Sequence, residues 1–267
     1  VLDKDQTMNI QIHPSAFVDP AAELADGVSV GAFAVIEAGV RVGPDCLINH
    51  HAVLQSGVSL GSRNQVSPYC ILGGPPQDLG YRGEPTRLEI GDDNQFREFT
   101  SLHRGTPAGG GLTRVGSHNL IMANAHVAHD CRVGDNVVIA NAVSLAGHCQ
   151  VGDHAVIGGI TGLHQHARIG TGAMVGALSR LSKDVPPFST TAGCDQVKVY
   201  GINKVGLRRR GIAQEALRAL EHAYRVFQDV RLNFSQALQA LEELAPTADQ
   251  VRVLIEFIKN SERGVYR

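Results

Sequence analysis

"VGDNVVIANAVSLAGHCQVGDHAVIGGITG", Val133 to Gly162, decides the fold. Cut into sixes it reads VGDNVV, IANAVS, LAGHCQ, VGDHAV and IGGITG, and every six opens on an aliphatic residue. The same phase extends back to Val115 through VGSHNL, IMANAH and VAHDCR, and forward through LHQHAR, IGTGAM, VGALSR and LSKDVP. It also runs in steps of six from Ile12 through Ile36 and Leu54 to Leu72, and a shorter run covers Ile90, Phe96 and Leu102. Self-similarity at a fixed short period marks a repeat architecture.

The remaining positions obey the same rule. Glycine often follows the aliphatic residue, as at Gly31, Gly61, Gly116, Gly134 and Gly152, and the residue two places before it is small, as at Ala34, Ala52, Ala125 and Ala155. Alternate residues of a strand face one side, so the small residue and the aliphatic residue share an interior, and the glycine is expected to ease the corner that follows. Six residues make a short strand plus a corner, and three such sides close a triangular coil of eighteen. The fold class is therefore mainly β, a parallel β-helix of hexapeptides. Cys46, Cys70, Cys131 and Cys149 fall in the small inward slot and read as core filler. Cys194 lies outside the repeat.

Composition narrows the function. Thirty glycines, no tryptophan and few aromatic residues suit an interior too narrow for large rings. A formal charge of −2 argues against nucleic acid as a partner. No apolar stretch has the length of a transmembrane segment. The opening "VLDKDQTMNI" lacks the order of a secretory signal, and five cysteines without paired spacing suit a reducing compartment, so a cytoplasmic location is expected.

Two interruptions break the repeat, at residues 73–89 ("GGPPQDLGYRGEPTRLE") and 103–114 ("HRGTPAGGGLTR"), the second shifting the phase by one residue. The sixes end after "DVPPF". From about Ile212 the spacing turns helical, in "IAQEALRALEHAYRVF", "SQALQALEEL" and "ADQVRVLIEFIKN", with Ser235 as a helix cap and Pro246 between the second and third helices. We expect a β-helix domain over 1–190 and a small C-terminal α-helical domain over 191–267.

The period also places the polar residues. Val127 faces inward, so His129 and Asp130 lie on the corner after it and His126 projects outward just before. Residues eighteen apart stack at about one strand spacing, ~4.8 Å. Gly147 and Gln165 therefore lie above His129, and His148 and His166 above Asp130, with His164 beside Gln165. Three readings fit this edge. The histidines are solvated surface; or His126 and His129, with a histidine of another chain, bind zinc; or an imidazole oriented by a carboxylate acts as a general base on a hydroxyl attacking a thioester.

The ordered set "QDLGYRGEPTRLEIG", "HRGT…GGGLT", "NAHVAHDC", "LAGH", "GLHQ", "DVPPF" and "GLRRRG" resembles the UDP-N-acetylglucosamine O-acyltransferase family, nearly end to end. Membership would imply a left-handed coil, a homotrimer with sites between subunits, and no cofactor or bound metal. It implies transfer of a 3-hydroxyacyl chain from acyl carrier protein, an acidic partner, to the 3-hydroxyl of UDP-N-acetylglucosamine, which opens lipid A synthesis. On the matching positions His129 is the base, Asp130 its partner and the Gly147 N–H the oxyanion donor. Asp78, His126 and His148 position the sugar, while His164, Gln165, Asn203 and Arg209 contact the nucleotide side. The basic run Arg208–Arg210 with Lys204 would attract the diphosphate and the carrier protein.

The chain departs from the family pattern at Gly80, where lysine or methionine is common, and at Val205, where glutamate is frequent. One extra residue falls between Pro187 and Gly201. Ala177 stands where better-known members carry the glycine that leaves the acyl groove open, so a shorter preferred chain is expected. The alternatives are N-acylation of a UDP-amino sugar, and a metal-binding trimeric β-helix enzyme of carbonic anhydrase type.

Overall fold

The structure is a computed structural model and describes residues 9–244 and 248–267. The opening residues as far as Met8, and Pro246, expected between two helices, lie outside the described residues. Short strands stack into three sheets of eleven, nine and eight strands, one for each face of a triangular coil, parallel except for the last strand of the eleven. The first face begins with Gln11–Ile12, the second with Phe17–Val18 and the third with Glu23–Leu24. Pairing steps by eighteen residues: His126 pairs with Ser144 and Ser144 with Gly162 on the second face, as Arg132 pairs with Gln150 and Gln150 with Arg168 on the third. The chain is a left-handed parallel β-helix followed by helices.

The inward aliphatic residues form one continuous core. Ile36, Leu54, Leu72, Val127, Leu145 and Ile157 are all fully buried. The small slot behaves as expected at Ala34, Ala52 and Ala125, and at the four cysteines. Each of those thiols turns to a carbonyl across the corner, Cys46 to Gly61 at 3.0 Å and Cys131 to Ala146 at 3.1 Å. Burial pushes the Cys70 thiol up to about 11, so it stays protonated filler. Cys194 is exposed.

The glycines act differently from expectation. Gly31, Gly61, Gly116, Gly134 and Gly152 do not adopt the left-handed conformation; that falls two residues later, on Phe33, Arg63, His118, Asn136 and His154. Glycine is needed after the aliphatic residue because the next coil passes directly above. A Cβ at Gly31 would lie 2.7 Å from the amide nitrogen of His50, and one at Gly134 would collide with the carboxylate of Asp153. That carboxylate accepts from the Asp135 N–H at 2.9 Å, and Asp135 in turn accepts from the Ser117 N–H at 2.7 Å. On this corner Asp135 and Asp153 each cap an exposed amide of the coil below, through space the glycine vacates.

The loops are shorter than the sequence suggested, because strands run into both ends of each. The first leaves the coil after Ile71–Gly74 and returns at Arg87–Ile90, so Ile71 pairs with Ser101, thirty residues on. The second leaves after Ser101–His103, makes one 3-10 turn at Pro107–Gly109 and returns at Leu112–Val115. Arg87 pairs with Leu112, twenty-five residues on, which is the expected one-residue phase shift.

After Arg180–Leu181 the chain forms an antiparallel hairpin, Ser189–Ala192 with Lys198–Ile202. Four helices follow: α1 Lys204–Arg209, α2 Gln214–Phe227, α3 Phe234–Glu243 and α4 Asp249–Lys259. α1 precedes the expected helical start, so Arg208 and Arg209 close a short helix. The cap of α3 is Asn233, not Ser235: its side chain takes the Gln236 N–H while Gln236 returns a bond to the Asn233 N–H. Asn233 begins that reciprocal pair two residues before Ser235, which lies inside the first turn. The helices share their own apolar core around Leu220, Phe227 and Leu254. Asp184, almost fully buried, ties them to the coil through Arg168 at 2.8 Å and Ser261 at 2.8 Å, and the Arg168 guanidinium lies over the Phe257 ring.

Replacing Gly134 with alanine should cost about 1–3 kcal/mol of stability, the usual penalty of overpacking. Adding Asp153→Gly should return part of it, as read by urea unfolding of the single and double variants. Independent, additive losses would contradict the interlock between the two coils.

Candidate active site

The corner between the second and third faces carries the histidines. His129 and Asp130 are buried there, each only 6% exposed. The His129 Nδ1–H donates to Asp130 Oδ2 at 2.8 Å, which leaves Nε2 as the free proton acceptor. Asp130 holds φ at 62°, as do His148 and His166 near 60° and 66° in the next two coils, so the three side chains leave the corner in the same direction. His148 Nε2 lies 3.6 Å from Asp130 Oδ2, and the rings of His148 and His166 stack at 4.5 Å.

Gly147 lies against the His129 ring: a Cβ there would come within 2.7 Å of Nε2. Among the described residues, nothing accepts a hydrogen bond from the Gly147 N–H. The contrast with the corner between the third and first faces is direct, because the equivalent amides of Ser117 and Asp135 are capped by carboxylates of the next coil. Beside a proton acceptor, this corner keeps an uncapped N–H donor.

Around this centre His126 bonds Ser101 Oγ through Nδ1 at 2.8 Å and meets the His103 ring edge-on at 4.8 Å. Burial, with His126 and His129 close by, lowers His103 to about 4; burial also lowers His126 and His148. His164 and Gln165 are exposed one and two residues past Leu163. Asp78 stands in the first loop, near enough for its charge to act on His148, and accepts from the Gly80 N–H at 2.6 Å. His129, Asp130 and His148 are the one group among the described residues whose ligand atoms gather closely enough to hold a metal, within 4.8 Å of one another. The Asp130 oxygens already engage other partners, however. Oδ1 accepts from the Thr106 N–H at 2.8 Å, and Oδ2 from the Thr106 hydroxyl at 2.7 Å as well as from His129.

Three expected residues lie elsewhere on the chain. Ala177 is exposed on the corner between the first and second faces. Asn203 caps α1, taking the Gly206 N–H and giving its own amide to the Gly172 carbonyl, on the corner between the third and first faces. Arg209 is exposed in the last turn of α1. Lys204 is already paired with Glu221.

Comparisons with known proteins place the chain in a family. Residues 184–266 match the family model described as Udp N-acetylglucosamine O-acyltransferase, domain 2, and residues 112–147 match the bacterial transferase hexapeptide model. The acyl-[acyl-carrier-protein]--UDP-N-acetylglucosamine O-acyltransferase of Syntrophobacter fumaroxidans is 46% identical over 97% of this chain and all of its own. The chain belongs to the UDP-N-acetylglucosamine O-acyltransferase family. The family member of Halorhodospira halophila is also 46% identical, over 96% of this chain and 99% of its own. The crystal structure of the Moraxella catarrhalis member superposes with a TM-score of 0.93, at 39% identity over 97% of this chain and all of that one.

Sequence reading missed Thr106, Thr113 and His103 as parts of the site, although "HRGT…GGGLT" contains all three. Among the described residues no helix is long and apolar enough to cross a membrane.

The folded chain takes up the His103 proton only near pH 4, the unfolded chain near 6.5, so the unfolded state binds more protons between these values and stability rises with pH across that window. The urea midpoint should therefore drop from pH 6.5 towards 4, and His103→Gln should flatten part of that slope. An unchanged slope in the variant would refute the assignment.

Proposed function

We propose that the chain transfers a 3-hydroxyacyl group from acyl carrier protein to the 3-hydroxyl of UDP-N-acetylglucosamine, the first step of lipid A synthesis. One observation carries this reading: a buried imidazole oriented by a carboxylate, with a glycine lying against its ring whose N–H is uncapped. Nε2 of His129 takes the proton of the sugar hydroxyl as its oxygen bonds to the thioester carbonyl carbon. The carbonyl oxygen gains the negative charge and accepts from the Gly147 N–H. Collapse breaks the carbon–sulfur bond, and the departing thiolate recovers the proton from His129. Asp130 keeps Nδ1 protonated throughout and stabilises the transient imidazolium.

Asp78, His126 and His148 border the acceptor side of this centre and would position the sugar. His164 and Gln165 continue the same edge towards the nucleotide. Ala177 and Asn203 lie on the other two corners and Arg209 on α1, so a second chain would bring them into one groove with His129. One exposed edge of the coil supports such an assembly. Phe33, His51, Tyr69 and Phe99 stack at 5.0–5.2 Å along the corner between the first and second faces, all exposed, and beyond Asn124 and Ala142 the same corner carries Ile160 and Leu178 at 65% and 61% exposure. An apolar edge of this length suits burial against identical chains, in keeping with a homotrimer. The exposed Arg208 and Arg209 suit a diphosphate and an acidic carrier. A division near residue 190 into coil and helical domains, and a cytoplasmic location beside the soluble donor and nucleotide sugar, complete the reading.

The test is incubation of the protein with UDP-N-acetylglucosamine or its 3-amino analogue and 3-hydroxyacyl carrier proteins, with the product identified by mass spectrometry. An ester on UDP-N-acetylglucosamine is expected, and His129→Ala should lose roughly 10²–10⁴-fold in turnover. An amide product only, or full activity of His129→Ala, would overturn the assignment. Ala177→Gly should shift preference towards longer acyl chains in the same assay; unchanged use of long chains would remove Ala177 from the groove.

A further inference from the structure

We propose that the second loop is a clamp for the Asp130 carboxylate, with Thr106 as a positioning residue for the His129 base. This rests on His129 acting as the base, the reading given above. The loop contributes two threonines to one aspartate. Thr106 gives its N–H to Oδ1 at 2.8 Å and its hydroxyl to Oδ2 at 2.7 Å. Thr113, fully buried on the returning strand, accepts the Asp130 N–H at 2.7 Å and so fixes the backbone from which the carboxylate projects. Gly109 completes the enclosure, because any Cβ there would overlap the carboxyl group of Asp130. The short 3-10 turn that presents Gly109 is itself held by Thr106, whose hydroxyl oxygen accepts the Gly109 N–H at 3.1 Å.

The clamp has an electrical as well as a steric effect. A buried carboxylate with no donors other than His129 would direct its whole charge at the imidazole and favour its protonated form. Two donors from Thr106 share that charge and leave less of it directed at the imidazole. They also fix which oxygen faces His129, since Oδ1 is held by the backbone amide. Among the described residues, His148, 3.6 Å from Oδ2, is the remaining titratable group facing this carboxylate within ion-pair range.

Thr106→Val keeps the backbone donor and removes the hydroxyl; Thr106→Ser keeps both. With UDP-N-acetylglucosamine and a 3-hydroxyacyl carrier protein, the valine variant should lose about tenfold or more in kcat, a part of what a general base contributes. Its KM for the sugar nucleotide should stay within about twofold, and the acid limb of its kcat/KM profile should move to higher pH by roughly half a unit or more. Serine should restore both values. If the valine variant does not fold, Thr106→Ala makes the same deletion without a branched side chain and is read the same way. Wild-type kcat and an unmoved pH profile in the deletion variant, with His129→Ala inactive, would overturn the clamp alone. An active His129→Ala would instead overturn the base on which it rests.

Discussion

The site depends on one hydrogen-bond register. Alternate backbone amides of a strand in the upper coils bond a carbonyl one residue short of eighteen further on, as when the His126 N–H reaches the Val143 carbonyl at 2.8 Å. That spacing fixes both the height and the direction of every side chain on the edge. His129 and Gly147 meet because they occupy the same position in consecutive turns. Only because the later residue lacks a side chain can the earlier one fill the space beneath it.

The two polar corners use the same backbone in opposite ways. Between the third and first faces, aspartates reach back and satisfy the amides of the coil below, which binds the turns together. Between the second and third faces, the carboxylate of Asp130 is directed instead to an imidazole and a threonine, and the Gly147 amide keeps its donor free. Stability on one edge and reactivity on the other come from one amide position, capped or left open.

Much of this was legible because burial repeats. A fixed phase identified Val127 and Leu145 as inward residues, and adding eighteen to His129 and Asp130 gathered the histidines. The purpose of glycine was not legible, since a clash with a neighbouring turn leaves no mark in local sequence. Nor was the whole inward slot: Asn64, Asn94 and Asn119 occupy it fully buried, Asn64 accepting the Asn94 N–H at 2.9 Å. Thr106 escaped because an aperiodic loop has no register by which to place it. Asn233 could have been found, as Asn-x-x-Gln is the signature of a reciprocal helix cap. α1 escaped because its six residues include a glycine and give little amphipathic signal.

A solenoid changes length in whole turns. Adding or removing eighteen residues below Ile71 alters the height of the prism and leaves the rim chemistry as it stands. Loss of one residue between Asn124 and Gln165 turns every later side chain to a new bearing about the axis. Variation in size is thus quantised for this chain, and the reactive groups occupy the interval from which not even a fraction of a quantum can be taken.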